Sequence, residues 1–178
     1  MILNLKKNIM TKRVVTKIGD LFSVKIDENN KKYFQLIAFD LSQLNSDVIR
    51  AFEKIYPIDT KLDLLEIVNG NVEFYAHCMT KAGIKMNLWE KIGSSKEIGD
   101  TTQILFRDTN DYGCKAGEEP IKISDKWHVW HINDEKFTFV EKLLGSNLKA
   151  EIGIVVHPFD IIERIKTGKY SFSYPGFE

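Results

Sequence analysis

The chain has 178 residues, enough for one domain with its own core and marginal for two. Its 43% apolar and 28% charged residues are those of an ordinary globular protein, and 25 basic against 25 acidic side chains leave no overall field to draw it to nucleic acid or an anionic membrane. Two cysteines, Cys78 and Cys114, make no CxxC pair and no disulfide framework; they read as free thiols in a reducing cytoplasm, although spacing alone permits a bond between them.

Residues 1–13 are polar and basic and read as a ragged, flexible arm, with Met10 offering an alternative start. They lack the continuous apolar stretch of a secretory signal, and nothing reaches the roughly 20 apolar residues of a membrane helix. A cytoplasmic protein with no membrane partner is therefore expected. Residues 18–40 carry the clearest pattern in the chain. Phe22, Val24 and Ile26 alternate with Leu21, Ser23 and Lys25, the period of a half-buried strand. The turn residues Asp27, Glu28, Asn29 and Asn30 come next, and then Tyr33, Gln35 and Ile37 alternate with Phe34, Leu36 and Ala38. Two such runs around a polar turn predict a β-hairpin, with Gly19-Asp20 as a tight lead-in.

Ser46 stands at an N-cap position ahead of DVIRAFEKIY, where Val48, Ile49, Phe52, Ile55 and Tyr56 recur at helical spacing and Pro57 closes the run. A second helix is expected from Asp59 or Thr60, with Leu62, Leu65 and Val68 on one face and a left-handed cap at Asn69-Gly70. Residues 72–79 read as a strand, and TKAGIKMNLWEKIGSS mixes turn and apolar residues. Residues 103–106 suggest a strand opening into a polar loop over 108–120. Residues 126–132 and 136–140 suggest a second hairpin turning at Asn133, Asp134 and Glu135. The apolar run 150–156 predicts a buried central strand. Residues 158–166 predict a helix with Phe159, Ile162 and Ile165 on one face and Gly168 as its cap. No repeat or linker divides the chain. The expectation is a single α+β domain over 1–178: a mainly antiparallel, strongly bent sheet or partly open small barrel, with two inserted helices and one C-terminal helix.

No GxGxxG, P-loop, GxSxG or HExxH motif is present, and no cofactor is implied. Asp108, Asn110, Gly113 and Glu119 match positions one, three, six and twelve of a calcium loop. Tyr112 occupies the fifth position, and a strand precedes the loop where a helix belongs, so a solvated acidic loop is the better reading. His128 and His131 fall on opposite faces of an expected strand and cannot share a metal; adjacent His77 and Cys78 likewise point apart. Asp20, Asp40 and Asp160 read as turn formers or helix caps. Between residues 97 and 119 acids outnumber bases, opposite a basic N-terminal arm. Trp89, Asp108, Asp111, Tyr112, Glu118 and Glu119 are therefore the candidate partner-binding residues, suited to a basic protein.

Three segments, in order, resemble the immunity protein 26 family of bacterial polymorphic-toxin systems: GDLFSVKI from Gly19 with the aromatic strand from Tyr33, GIKMNLWEKIG from Gly83, and LFRD from Leu105. The resemblance covers residues 14–140 and excludes the stretch between Ser46 and Gly70 and the C-terminal helix. It implies a non-enzymatic, mostly β protein that binds and neutralises a cognate toxin. Its motifs are structural and transfer no functional residue. Two other classes remain open: a small enzyme with a carboxylate-lined cleft within the bent sheet, and a single-stranded nucleic-acid binder. The second would need Tyr33, Trp89, Trp127 or Trp130 exposed in a basic groove.

Overall fold

The hairpin organises the molecule. The computed structural model describes residues 13–61, 63–111 and 116–177, so expectations for the N-terminal arm, Leu62, Tyr112 and Cys114 fall outside it. Strand β1 (Asp20–Lys25) pairs antiparallel with β2 (Asn30–Asp40). Between them the Asp27 carboxylate accepts from the Asn29 and Asn30 amides at 2.7 and 2.8 Å, closing the turn with a side chain. Gly19 sits at φ +96°, and a Cβ there would press into the Ser95 carbonyl, so glycine is required on both counts.

The expected first helix is instead strand β3 (Ser46–Phe52), with a short β4 (Tyr56–Pro57) after it. Val48, Ile49 and Phe52 fit a helical face, but they equally suit a strand buried on both sides, and β3 lies between β2 and β5 (Val72–Cys78). Pairing on both edges, with β-branched and aromatic side chains on both faces, overrides the local period. The second helix shrinks to α1 (Leu64–Val68), whose Asp63 cap accepts from the Leu65 and Glu66 amides. It buries Ile67 and Val68, leaves Leu65 exposed, and ends on Asn69 at φ −91°, not on a left-handed residue.

The mixed stretch after β5 forms helix α2 (Thr80–Lys85) and strand β6 (Glu90–Ser94). Strands β11 (Val155–Val156), β5, β3, β2, β1 and β6 lie side by side in that order, with β4 also on β2. Strands β7 (Leu105–Thr109), β8 (Trp127–His131), β9 (Thr138–Glu141) and β10 (Glu151–Ile152) make a second sheet in the order β10-β7-β8-β9. Pairing between these strands is antiparallel except at β10 and β11, and neither sheet closes into a barrel among the described residues. The fold class is α+β, with three α-helices among the described residues.

Residues 150–156 are not one central strand. β10 adds parallel to β7 in the second sheet, the chain passes Gly153, and β11 adds parallel to β5 in the first. The run crosses between the two sheets with Ala150, Gly153 and Val156 buried, Ile152 and Ile154 half-buried, and Val155 exposed. A side chain at Gly153 would collide with the Trp130 ring. The last helix, α3 (Pro158–Thr167), ends on Gly168 at φ +78° as expected, but it buries Ile161 and Ile165 and leaves Phe159 exposed.

Both faces of the first sheet are covered, so β1 is buried from Asp20 to Val24 and β2 from Lys32 to Ala38, where a half-buried alternation was expected. Phe22, Phe34, Leu36, Ile49 and Ala76 pack with Trp89 from one side and Ile161 and Ile165 of α3 on top. On the opposite face, Leu21, Tyr33 and Phe52 pack with Ile67 and Val68 of α1. Farther along that face, Ile37 and Val48 meet Phe106 and Trp130 of the second sheet. No helix among the described residues is long and apolar enough to cross a membrane.

Candidate functional site

Register across the second sheet sets three unlike side chains in one row. Asp108 of β7 stands directly opposite His128 of β8, and His128 directly opposite Phe139 of β9. Directly opposed residues share a face, so acid, imidazole and phenyl ring form a continuous strip. The His128 and Phe139 rings are 5.0 Å apart, and Phe137, at the lead-in to β9, adds a second ring 6.4 Å from His128 and 4.6 Å from Trp130. Phe137 and Phe139 are 44% and 54% exposed, a high value for phenylalanine on a sheet. Strand β9 pairs only with β8 among the described residues, so its outer edge carries free backbone groups beside these rings. A hollow of about 260 Å³ lies against Asp108, Asn110, His128 and Phe137.

The residues expected to bind a partner divide in the structure. Trp89 is 4% exposed, donates from Nε1 to the Thr80 carbonyl at 3.0 Å, and stacks edge-on against Phe34. It is a core residue and presents nothing to a partner; its neighbours in sequence mix polar and apolar types, which concealed its burial. Asp108 is half-buried and accepts from the Tyr174 hydroxyl at 2.7 Å and its neighbour's amide at 2.8 Å. Asp111 accepts from Ser124 Oγ at 2.9 Å and lies 3.5 Å from Lys126 Nζ. Glu118 and Glu119 are exposed, and Tyr112 lies outside the described residues. The loop strand thus supplies Asp108 to the row. His128, Phe137 and Phe139 were missed: hairpin spacing located their strands, but only the β7–β8 pairing shows them beside Asp108.

Other clusters are structural. Asp40, Ser46 and His77 meet in the core between the sheets: Ser46 Oγ is 3.0 Å from His77 Nδ1, and Asp40 Oδ2 is 3.8 Å from His77 Nε2. Burial pushes the His77 pKa down to about 4, partly opposed by Asp40, so the ring is neutral at pH 7. The side chains of His77 and Asp40 are sealed from solvent, so this trio cannot meet a substrate. Ser46 is therefore an anchor between strands and not the helix cap expected. Asp40 does form a turn, accepting from the Ser42 and Gln43 amides through Oδ1, but it is fully buried. Asp20 is buried as well, paired with Lys91 at 2.8 Å. Cys78 is a free thiol whose pKa burial drives well above its ordinary value, which leaves it inert.

A groove of about 710 Å³ runs along β7, β8 and β9 and includes Asp100, His131, Asp134, Lys149 and Glu151. Its carboxylates are engaged locally. Asp134 accepts from the His131 amide at 2.7 Å, Asp100 from the Thr102 amide at 2.9 Å, and Glu151 from the Tyr75 amide at 3.1 Å and Arg164 at 3.0 Å. Among the described residues no group of three or more His, Cys, Asp or Glu side chains is placed to hold a metal ion. Tyr33, Trp89, Trp127 and Trp130 are each at most 4% exposed, so the stacking platform that a single-stranded nucleic-acid binder would need is not built from them. Comparison with family models, with curated protein sequences and with solved structures returned no match.

Proposed function

We propose that this chain is a non-enzymatic binding protein that neutralises a bacterial toxin by direct contact, with the Asp108–His128–Phe139 row as the centre of the contact surface. The observation that carries the reading is a pair of half-exposed phenyl rings, Phe139 on edge strand β9 and Phe137 at its lead-in, with Phe139 in register with an acid on the same face. Exposed aromatics at the centre of a patch supply affinity when desolvated, and flanking acids steer a basic partner. The edge of β9 adds a place where a partner strand can pair. The resemblance of the three ordered segments to toxin-immunity proteins points the same way.

The test is direct. The purified chain is mixed with the polypeptide encoded by the reading frame adjacent to its gene, and complex formation and loss of toxicity are measured. A stable complex that weakens at least about tenfold on Phe137→Ala plus Phe139→Ala supports the reading. A neighbour that does not bind, or a double variant that binds and protects like wild type, rejects it. A second reading rests on the 710 Å³ groove, whose volume is in the range of small-molecule clefts. It stands second because the carboxylates Asp100, Asp134 and Glu151 already serve local hydrogen bonds.

A further inference from the structure

A cationic pocket of about 270 Å³ opens where the C-terminal segment leaves α3 and returns across β7 and β10. Arg107, Glu151, Arg164, Lys169, Tyr170 and Tyr174 line it. The two arginines differ in how far their hydrogen-bonding capacity is used. Arg164 lies 4.0 Å over the Phe74 ring and 4.7 Å over Tyr170, and donates to the Tyr170 hydroxyl at 2.9 Å and to Glu151 at 3.0 Å. Arg107 is held 5.6 Å over Trp127 and 5.1 Å over Phe177, yet it forms no ion pair among the described residues, and its Nε is buried without an acceptor. Burial pulls the Arg107 pKa down from its ordinary value, opposed by Tyr174 and Glu151 and assisted to a smaller degree by the Arg164 charge. A half-buried guanidinium with an unfilled donor is costly unless an anion completes it.

The aromatic rings fix the planes of both guanidinium groups, which leaves little side-chain entropy to lose when an oxyanion docks. Three cations against one carboxylate leave two positive charges in the pocket. The Tyr170 hydroxyl accepts from Arg164 and so keeps its own proton to donate, whereas that of Tyr174 is given to Asp108. We propose that this pocket binds a phosphate dianion, the group presented by a small phosphorylated ligand, with the Arg107 fork as its main donor. The inference is independent of the toxin reading: the pocket and the Asp108 row share no lining residue.

Inorganic phosphate is the probe, titrated into the full chain by calorimetry and by thermal shift at fixed ionic strength and pH above 7.5, with acetate as the singly charged control. Saturable binding with a rising Tm is expected, with acetate at least about tenfold weaker. Arg107→Met should weaken phosphate at least about tenfold. Should that variant fail to fold, Arg107→Lys keeps the charge but loses the fork, and should weaken it by a similar factor. Lys169→Ala, at an exposed position, should lower affinity a few-fold while leaving Tm without phosphate unchanged. No saturable response, equal binding of acetate, or wild-type affinity in the Arg107 and Lys169 variants would overturn the proposal.

Discussion

His77 Nε2 lies 3.8 Å from Asp40 Oδ2 in a part of the core where both side chains are fully buried. The separation is too long for a hydrogen bond, and neither atom has another partner among the described residues. The pair stands where the end of β2 and strand β5 meet the second sheet, with the His77 ring 4.1 Å from that of Phe106.

Stability should fall with acid because of this histidine. Above pH 6.5 His77 is neutral in both folded and unfolded chains. As pH falls from 6.5 towards 4, the unfolded chain takes up a proton that the folded one refuses. The contribution is thus complete above about pH 6.5, and is lost progressively down to the folded pKa of about 4. The whole effect is on the order of 3 kcal/mol. Urea unfolding across that window should show the slope, and His77→Gln should flatten it. An unchanged slope in the variant would assign the pH dependence elsewhere.

Gly83 is the place where α2 touches Trp89: a Cβ at that position would land on the indole ring. The ring cannot retreat easily, since its Nε1 is tied to the Thr80 carbonyl and its face meets Phe34. Gly83→Ala should therefore destabilise by about 2 kcal/mol despite alanine's better helix propensity, read as a lower urea midpoint with unchanged m. A gain in stability would show that Trp89 has room to move.

Phe137 and Phe139 should separate folding from binding. Each is roughly half exposed, so truncating either to alanine should cost less than about 1 kcal/mol of stability. Against the partner of the proposed function, Phe139→Ala alone should cost at least about 1.4 kcal/mol, a tenfold rise in Kd. Denaturation and binding measured on the same preparation decide whether these rings serve the contact or the core.

The exposed acids should act on rate. Replacing Glu118 and Glu119 by lysine should slow association with a basic toxin by about tenfold at low salt, with the difference fading above roughly 0.3 M. Asp108→Asn should slow association as well and carry a second effect, because Asp108 also holds the Tyr174 hydroxyl and the C-terminal segment with it. The second effect should appear as lost stability of about 1–2 kcal/mol. Stopped-flow mixing at two salt concentrations distinguishes the two effects; equal rates for wild type and the lysine variant would remove the loop from the encounter.

Much of the fold was legible along the chain. Strand period and turn chemistry marked both hairpins, and Pro158 and Gly168 bracketed the last helix, because these signals act over a few residues. Residues 46–52 read as a helix because a strand covered on both faces shows no alternation, and residues 150–156 read as one strand because a segment that adds to two sheets in turn is as apolar as a single buried strand.

The sequence by itself determined the α+β class, the hairpins, the C-terminal helix and the acid at Asp108, since each depends on local backbone preference and side-chain period. Only the tertiary structure decided that Trp89 faces inward, that His128 and Phe139 stand beside Asp108, and that Arg107 and Arg164 share a pocket. Those relationships join residues far apart in the chain, and long-range pairing and burial arise from the packing of whole sheets, which no window of neighbouring residues contains.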